Sequence, residues 1–117
     1  MAYRTFLDAG LVAAAGSDFS PGPFDPRMAI QGMVTRTGWD GQTWGANQRI
    51  SVEEALRVNT INGAYNSHEE AIKGSIAPAK LADFVVLSDD LFTVNKEKIK
   101  DLQIVRTVVG GSTVYQA

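Results

Sequence analysis

The 117-residue sequence contains no cysteine and a single histidine, His68. The missing cysteines exclude disulfides, thiolate zinc sites and cysteine nucleophiles, and they suit a reducing compartment, so a cytoplasmic location is the expectation. With one imidazole, the chain has no further nitrogen ligands to give a metal site. Long hydrophobic runs are absent too. The longest apolar stretch falls far below the roughly 18 residues a membrane helix requires, and "MAYRTFLDAG" lacks the basic and then apolar regions of a signal peptide. Positive charge is not clustered: 11 Lys and Arg against 13 Asp and Glu leave a formal net charge of −2, and "KEKIK" at Lys96–Lys100 carries its own Glu97. Without a basic patch a general nucleic-acid binder is disfavoured. Neither nucleic acid nor membrane is an expected partner.

What is present fits a globular domain. Apolar residues make up 44% and charged residues 21% of the chain, which is near the average for chains that bury a core of their own. Tyr3–Ala9 places Phe6, Leu7 and Ala9 at helical spacing, with Gly10 where a helix would stop. Leu11–Ala15, "LVAAA", holds no polar residue, as does a strand buried on both faces of a parallel sheet. Asp25-Pro26 is a helix start, with Asp as N-cap and Pro at the first helical position. Met28, Ile30, Met33 and Val34 then follow a helical period to about Arg36. "TGWDGQTWGANQR" reads as a loop. Ser51-Val52-Glu53-Glu54 is a capping box opening a second helix that continues through Ala64. After Glu70 the composition changes: Phe84–Leu87 reads as a strand, Asn95 caps a short helical turn, and Ile104–Val109 and Thr113–Tyr115 form a hairpin about Gly110-Gly111. The expectation is an α/β part over residues 1–70 and a small β part over 71–117.

Asp18 is the leading chemical candidate. A carboxylate one step beyond a buried strand stands where ligands gather in α/β sheets, and it can bind a hard or borderline cation or take a proton from water. The alternative is a loop Asp that caps local N–H groups. Pro21, Pro23 and Pro26 stiffen the loop after it, or simply punctuate a strand-to-helix connection. His68, beside Glu69 and Glu70, reads as a solvated or helix-terminal histidine. Trp39 and Trp44 could line a substrate pocket, but anchoring their loop to the core is the favoured reading. Asp40, Asp89 and Asp90 read as solvated turn residues.

Taken in order, "YRTFLDAGLVAAAGSD", "SVEEALRVNTINGAY" and "GSIAPAKLADFVVLSDD" resemble the C-terminal quarter of the metal-dependent amidohydrolase superfamily, and in particular its large group acting on N-substituted amides and related C–N bonds. The resemblance covers nearly the whole chain. It implies an α/β fold: the C-terminal fragment of a (β/α)8 barrel in residues 1–70, plus strands of a small β-sandwich in residues 71–117. It assigns Leu11–Ala15 to the eighth barrel strand and Asp18 to the aspartate at its end, a catalytic residue and metal ligand that relays a proton from water to the leaving nitrogen. It implies a divalent metal, zinc, in the complete enzyme, and a small-molecule amide-type substrate.

Two departures stand out. Where the family pattern has Gly before the lysine of its "GK-x-ADFVVL" element, this chain has Ala79-Lys80; if that position needs φ > 0, alanine is strained there by about 1 kcal/mol. The histidines and the other ligands of the family's metal centre have no counterparts here. The chain alone is therefore expected neither to hold a catalytic metal tightly nor to hydrolyse amides, and to form a homo-oligomer or associate with the missing barrel portion. Two further readings stay open: a non-catalytic α/β module that self-associates, and one half of a split hydrolase.

Overall fold

The computed structural model describes the whole chain, Met1–Ala117. Four helices precede a three-stranded sheet: α1 (Tyr3–Asp8), α2 (Pro26–Thr35), α3 (Val52–Asn59), α4 (Ile61–Asn66), β1 (Phe84–Leu87), β2 (Ile104–Val109) and β3 (Ser112–Gln116), with 3-10 turns at Ala46–Gln48 and Lys96–Asp101. The coarse α/β expectation is met. No helix is long and apolar enough to cross a membrane.

The helix starts follow the local chemistry. Asp25 Oδ1 accepts the Arg27 N–H at 2.9 Å and caps α2. The Arg27 guanidinium folds back on the same carboxylate and also donates to the Leu102 carbonyl, which ties α2 to the 96–101 turn. At α3 both arms of the capping box are made: Glu54 N–H to Ser51 Oγ (3.1 Å) and Ser51 N–H to Glu54 Oε2 (2.8 Å). Glu54 also takes Arg4 at 2.8 Å, and Arg4 reaches Asp8 at 2.7 Å, so one guanidinium joins α1 to the start of α3.

The second helix does not run unbroken to Ala64. It stops at Thr60 (φ −131°, ψ −91°) and restarts as α4. Two consecutive side chains cause the break. Asn59 Nδ2 donates to the Ala55 carbonyl (2.8 Å) and Thr60 Oγ1 to the Leu56 carbonyl (2.7 Å). Side chains thus offer the carbonyls of the preceding turn an alternative to the helical ladder.

The core lies among the helices. Tyr3, Ile30, Met33, Val34, Ile50, Val52, Ala55, Val58 and Ile99 form one buried cluster, with Ala55, Val58 and Ile99 sealed completely. The capped helices present these residues on one face, and the 96–101 turn adds Ile99 as a lid against α2. Burying each of the larger aliphatic side chains contributes about 1.5–3 kcal/mol, so this cluster dominates the favourable terms.

The sheet stands apart from this core. Its order is β1-β2-β3, all antiparallel, with bulges between Val86 and Leu87 and between Thr107 and Val108. Gly110 and Gly111 turn the hairpin at φ 56° and 79°, the paired positive values a type I′ turn requires. Val108 is buried, whereas Val85, Val109 and Val114 are exposed and every residue of β3 faces water. Loop bonds fasten the sheet: Gly110 N–H to Asp83 Oδ1 (2.7 Å) and Gly111 N–H to the Ala82 carbonyl (3.1 Å).

Leu11–Ala15 departs from expectation. It forms no strand, and Ala13 N–H turns back to the Leu11 carbonyl at 3.1 Å. Leu11 and Val12 are exposed, and the segment is held by Ala15 N–H to the Val58 carbonyl (3.0 Å) and Asn62 Nδ2 to the Ala13 carbonyl (2.8 Å). A parallel strand needs a neighbour to complete its ladder. The three strands this chain possesses are all C-terminal and pair among themselves. The apolar segment therefore lies against α3 and α4 instead.

Candidate functional site

Asp18 sits at the start of the loop that joins this apolar segment to α2. Its φ is 50°, in the left-handed region that Asp tolerates better than most residues. The side chain is exposed; the neighbouring Ser17 Oγ takes the Phe19 N–H at 3.3 Å, while the Asp18 carboxylate accepts nothing. All of its lone pairs are uncommitted. Phe19 and Phe24 meet edge to face at 5.7 Å and brace the proline-rich loop beyond it. Asp25 closes that loop as the N-cap of α2, its carboxyl held below the ordinary range by the Arg27 guanidinium.

Nowhere do three or more His, Cys, Asp or Glu side chains come together as a metal site would require. His68 lies just past α4, exposed and at φ 57°, in agreement with a solvated helix-terminal role. One carboxylate does not fit a catalytic metal, for which three protein ligands are usual.

The tryptophans require a correction. Neither anchors its loop in the core: Trp39 is 85% exposed and Trp44 63%. The loop is instead stitched to itself. Asp40 accepts Gln42 N–H (2.9 Å) and Trp44 Nε1–H (3.0 Å), and these donors, the Gln42 amide foremost, keep its carboxyl below the usual range. Trp44 N–H donates to the Arg36 carbonyl at 2.9 Å, and Arg36 Nε returns a bond to the Trp44 carbonyl at 3.1 Å. Asp40 is thus the organiser of a closed loop rather than a merely solvated residue. Asp90 accepts the Phe92 N–H at 2.8 Å, as a turn aspartate does.

Between the Asp18 loop, α2, the tryptophan loop and the 96–101 turn lies a cleft of about 400 Å³. Ser17, Gln31, Thr37, Trp39, Glu97 and Lys100 give it its polar and aromatic lining. No motif announced this grouping, because its lining is drawn from separate segments between Gly16 and Lys100. The only sequence signals were two tryptophans in a glycine-rich loop and the charged "KEKIK".

The profile of the Amidohydrolase family matches residues 1–115. The chain belongs to the amidohydrolase family. Similar proteins include YtcJ of Bacillus subtilis (strain 168), 33% identical over 98% of this chain and 22% of that protein. The N-substituted formamide deformylase of Arthrobacter pascens is 32% identical over 97% of the chain and 21% of its own length. Among solved structures, an amidohydrolase from Thermotoga maritima MSB8 superposes with a TM-score of 0.73 at 22% identity, over 98% of this chain and 26% of that one. The fold is therefore that of one portion of an amidohydrolase. The chain spans about a fifth of the length of the curated relatives it matches.

Proposed function

We propose that this amidohydrolase chain is the portion of a metal-dependent hydrolase of non-peptide C–N bonds that contributes Asp18 to the reaction centre. The observation that carries the reading is the family match over residues 1–115, which spans the stiffened loop presenting Asp18. A carboxylate with no internal partner can take a proton from an attacking water and hand it to a departing nitrogen. The proposal includes a divalent ion, zinc by the family's chemistry, held mainly by residues outside these 117. The substrate is a small amide or related compound, and N-substituted formamides are the first class to try, given the Arthrobacter relative.

The test compares the chain alone with the chain joined to, or co-expressed with, the portion carrying the remaining ligands. Amine release from N-substituted formamides is expected only from the completed protein. Asp18→Asn, whose side chain also tolerates a left-handed backbone, is expected to lower that turnover by at least a hundredfold, as removal of a general acid–base does. Undiminished turnover in the Asn variant would sink the assignment.

The exposed sheet favours a second reading, association. β1 and β3 are open edges, and Val85, Val109 and Val114 offer apolar surface beside them. Such features promote pairing with another chain, here a second copy or the missing barrel portion. Sedimentation velocity across a concentration series should show a rising average mass; a strict monomer at every concentration removes this reading.

A further inference from the structure

The chain carries one Asn-Gly pair, Asn62-Gly63, and it falls in the first turn of α4. Such a pair has a chemistry of its own. The backbone nitrogen after an asparagine can attack that asparagine's side-chain carbonyl carbon, and glycine, without a Cβ and free in its backbone, hinders the approach least. The break at Thr60 leaves this nitrogen uncommitted. In an unbroken helix the Gly63 N–H would donate to the Asn59 carbonyl. Here the ladder of α4 opens with Ala64 N–H to the Thr60 carbonyl at 3.1 Å, and the Gly63 N–H stands ahead of it. Gly63 is exposed, with nothing inside 4 Å of where a Cβ would stand.

The reacting partner is restrained. The Asn62 side chain is buried, and its Nδ2 donates to the Ala13 carbonyl at 2.8 Å. Together with Ala15 N–H to the Val58 carbonyl, this bond fixes Leu11–Ala15 to α3 and α4. While it lasts, the side-chain amide is pinned in one rotamer and its carbon cannot swing onto the Gly63 nitrogen. Reaction therefore requires Leu11–Ala15 to lift and the first turn of α4 to fray. A six-residue helix has little stability of its own, and local openings of this kind occur in folded proteins without global unfolding.

We propose that Asn62-Gly63 is a deamidation site gated by the docking of Leu11–Ala15. Once the segment lifts, the Gly63 nitrogen loses its proton to solvent and bonds to Asn62 Cγ. The Cγ–Nδ2 bond breaks, the leaving nitrogen takes up a proton and departs as ammonia, and a cyclic imide remains. Water then adds to either imide carbonyl and opens the ring to an aspartyl or an isoaspartyl carboxylate. Re-docking cannot follow. A carboxylate oxygen in place of Nδ2 would face the Ala13 carbonyl as acceptor against acceptor, with a charge to bury and no partner for it. The modified chain keeps the packing around Val58 but releases Leu11–Ala15 for good. None of this depends on the hydrolase reading.

The test incubates the full chain for days at mildly alkaline pH and follows each asparagine by peptide mass spectrometry. Asn62 is expected to convert in the folded chain, with isoaspartate among the products. Gly63→Ala should slow the conversion at least tenfold, and Ala15→Pro, which removes the neighbouring bond to Val58, should speed it about fivefold. Circular dichroism verifies that each variant is folded. In urea below the unfolding transition the wild-type rate should stay nearly flat, as a local opening requires. Hydrogen exchange at the Ala15 amide should be at least tenfold faster in the converted chain, isolated by ion exchange, and in Asn62→Asp. The converted chain forms its product after folding, so it gives this reading even if Asn62→Asp does not fold. Three results would each overturn the proposal: an intact Asn62 after the exposed Asn66 has converted, a rate that climbs with urea in step with global unfolding, or an Ala15 amide equally protected in the converted chain.

Discussion

Replacing Ala79 by glycine is expected to stabilise this protein. Ala79 has φ 68° and is exposed, so its Cβ contributes strain and no buried contact. The next residue holds it there. The Lys80 ammonium donates to the Glu70 carbonyl, to the Lys73 carbonyl (3.4 Å) and to Ser75 Oγ (2.8 Å), fastening the segment that leads into β1. Strain of this kind persists only where the surroundings over-determine it. A non-glycine residue in the left-handed region costs about 1–2 kcal/mol. Glycine removes that cost but frees the unfolded chain by about 0.4–1 kcal/mol, so the net gain is about 0.5–1 kcal/mol. A chain of 117 residues has an unfolding entropy of about 0.25 kcal/mol/K, which converts the gain into a rise in Tm of about 2–4 °C. Thermal unfolding followed by circular dichroism measures it. Ala79→Val should move the other way, because β-branching crowds a positive φ further. If Ala79→Gly leaves Tm unchanged or lowers it, the strain argument fails.

Other expectations follow from the same contacts. Gly74 stands at φ 86°, where a Cβ would come within 2.8 Å of Ala64 Cβ and 2.9 Å of Ile61 Cα; Gly74→Ala should cost about 2–4 kcal/mol in urea unfolding, and a loss below 1 kcal/mol would contradict that packing. The Glu54 carboxyl is held low, first by the Ser51 N–H and then by Arg4. Its contribution is therefore present above the ordinary Glu range and is lost as pH falls through the lowered folded value. Glu54→Gln keeps the reach to Ser51 without a titrating proton, so its stability should vary less with acid pH than that of the wild type; parallel curves would rule this out. Asp18→Asn should change the stability of the chain by less than about 0.5 kcal/mol, as expected for an exposed side chain with no partner, and a larger loss would mark Asp18 as structural.

Features written in neighbouring residues were legible from the sequence. The Asp25-Pro26 start, the Ser51–Glu54 box, the Asn95 cap and the Gly110-Gly111 turn each need only a few adjacent side chains, and each is formed. Ala79 announced its left-handed backbone by standing where a related pattern has glycine. Non-local features were not legible. "LVAAA" advertises burial on two faces, but whether a partner strand exists depends on residues elsewhere, and this chain provides none. The break at Thr60 was hidden because Asn59 and Thr60 are compatible with a helix until their side chains turn back on its carbonyls. The tryptophans were misjudged for a related reason: size suggested core, whereas Asp40 satisfies the loop from within and leaves both rings outside. The cleft depends on the 96–101 turn folding back on α2, and no local pattern encodes that return.

The interruption at Thr60 has a consequence for how order arises. It divides one stretch into helices of 8 and 6 residues, and the longest helix in the protein has 10. Isolated helices need about 12–15 residues to persist in water even with favourable sequences. None of these segments can therefore hold its shape before the others dock, and helical content should vanish together with the packing around Val58 and Ile99 rather than outlive it.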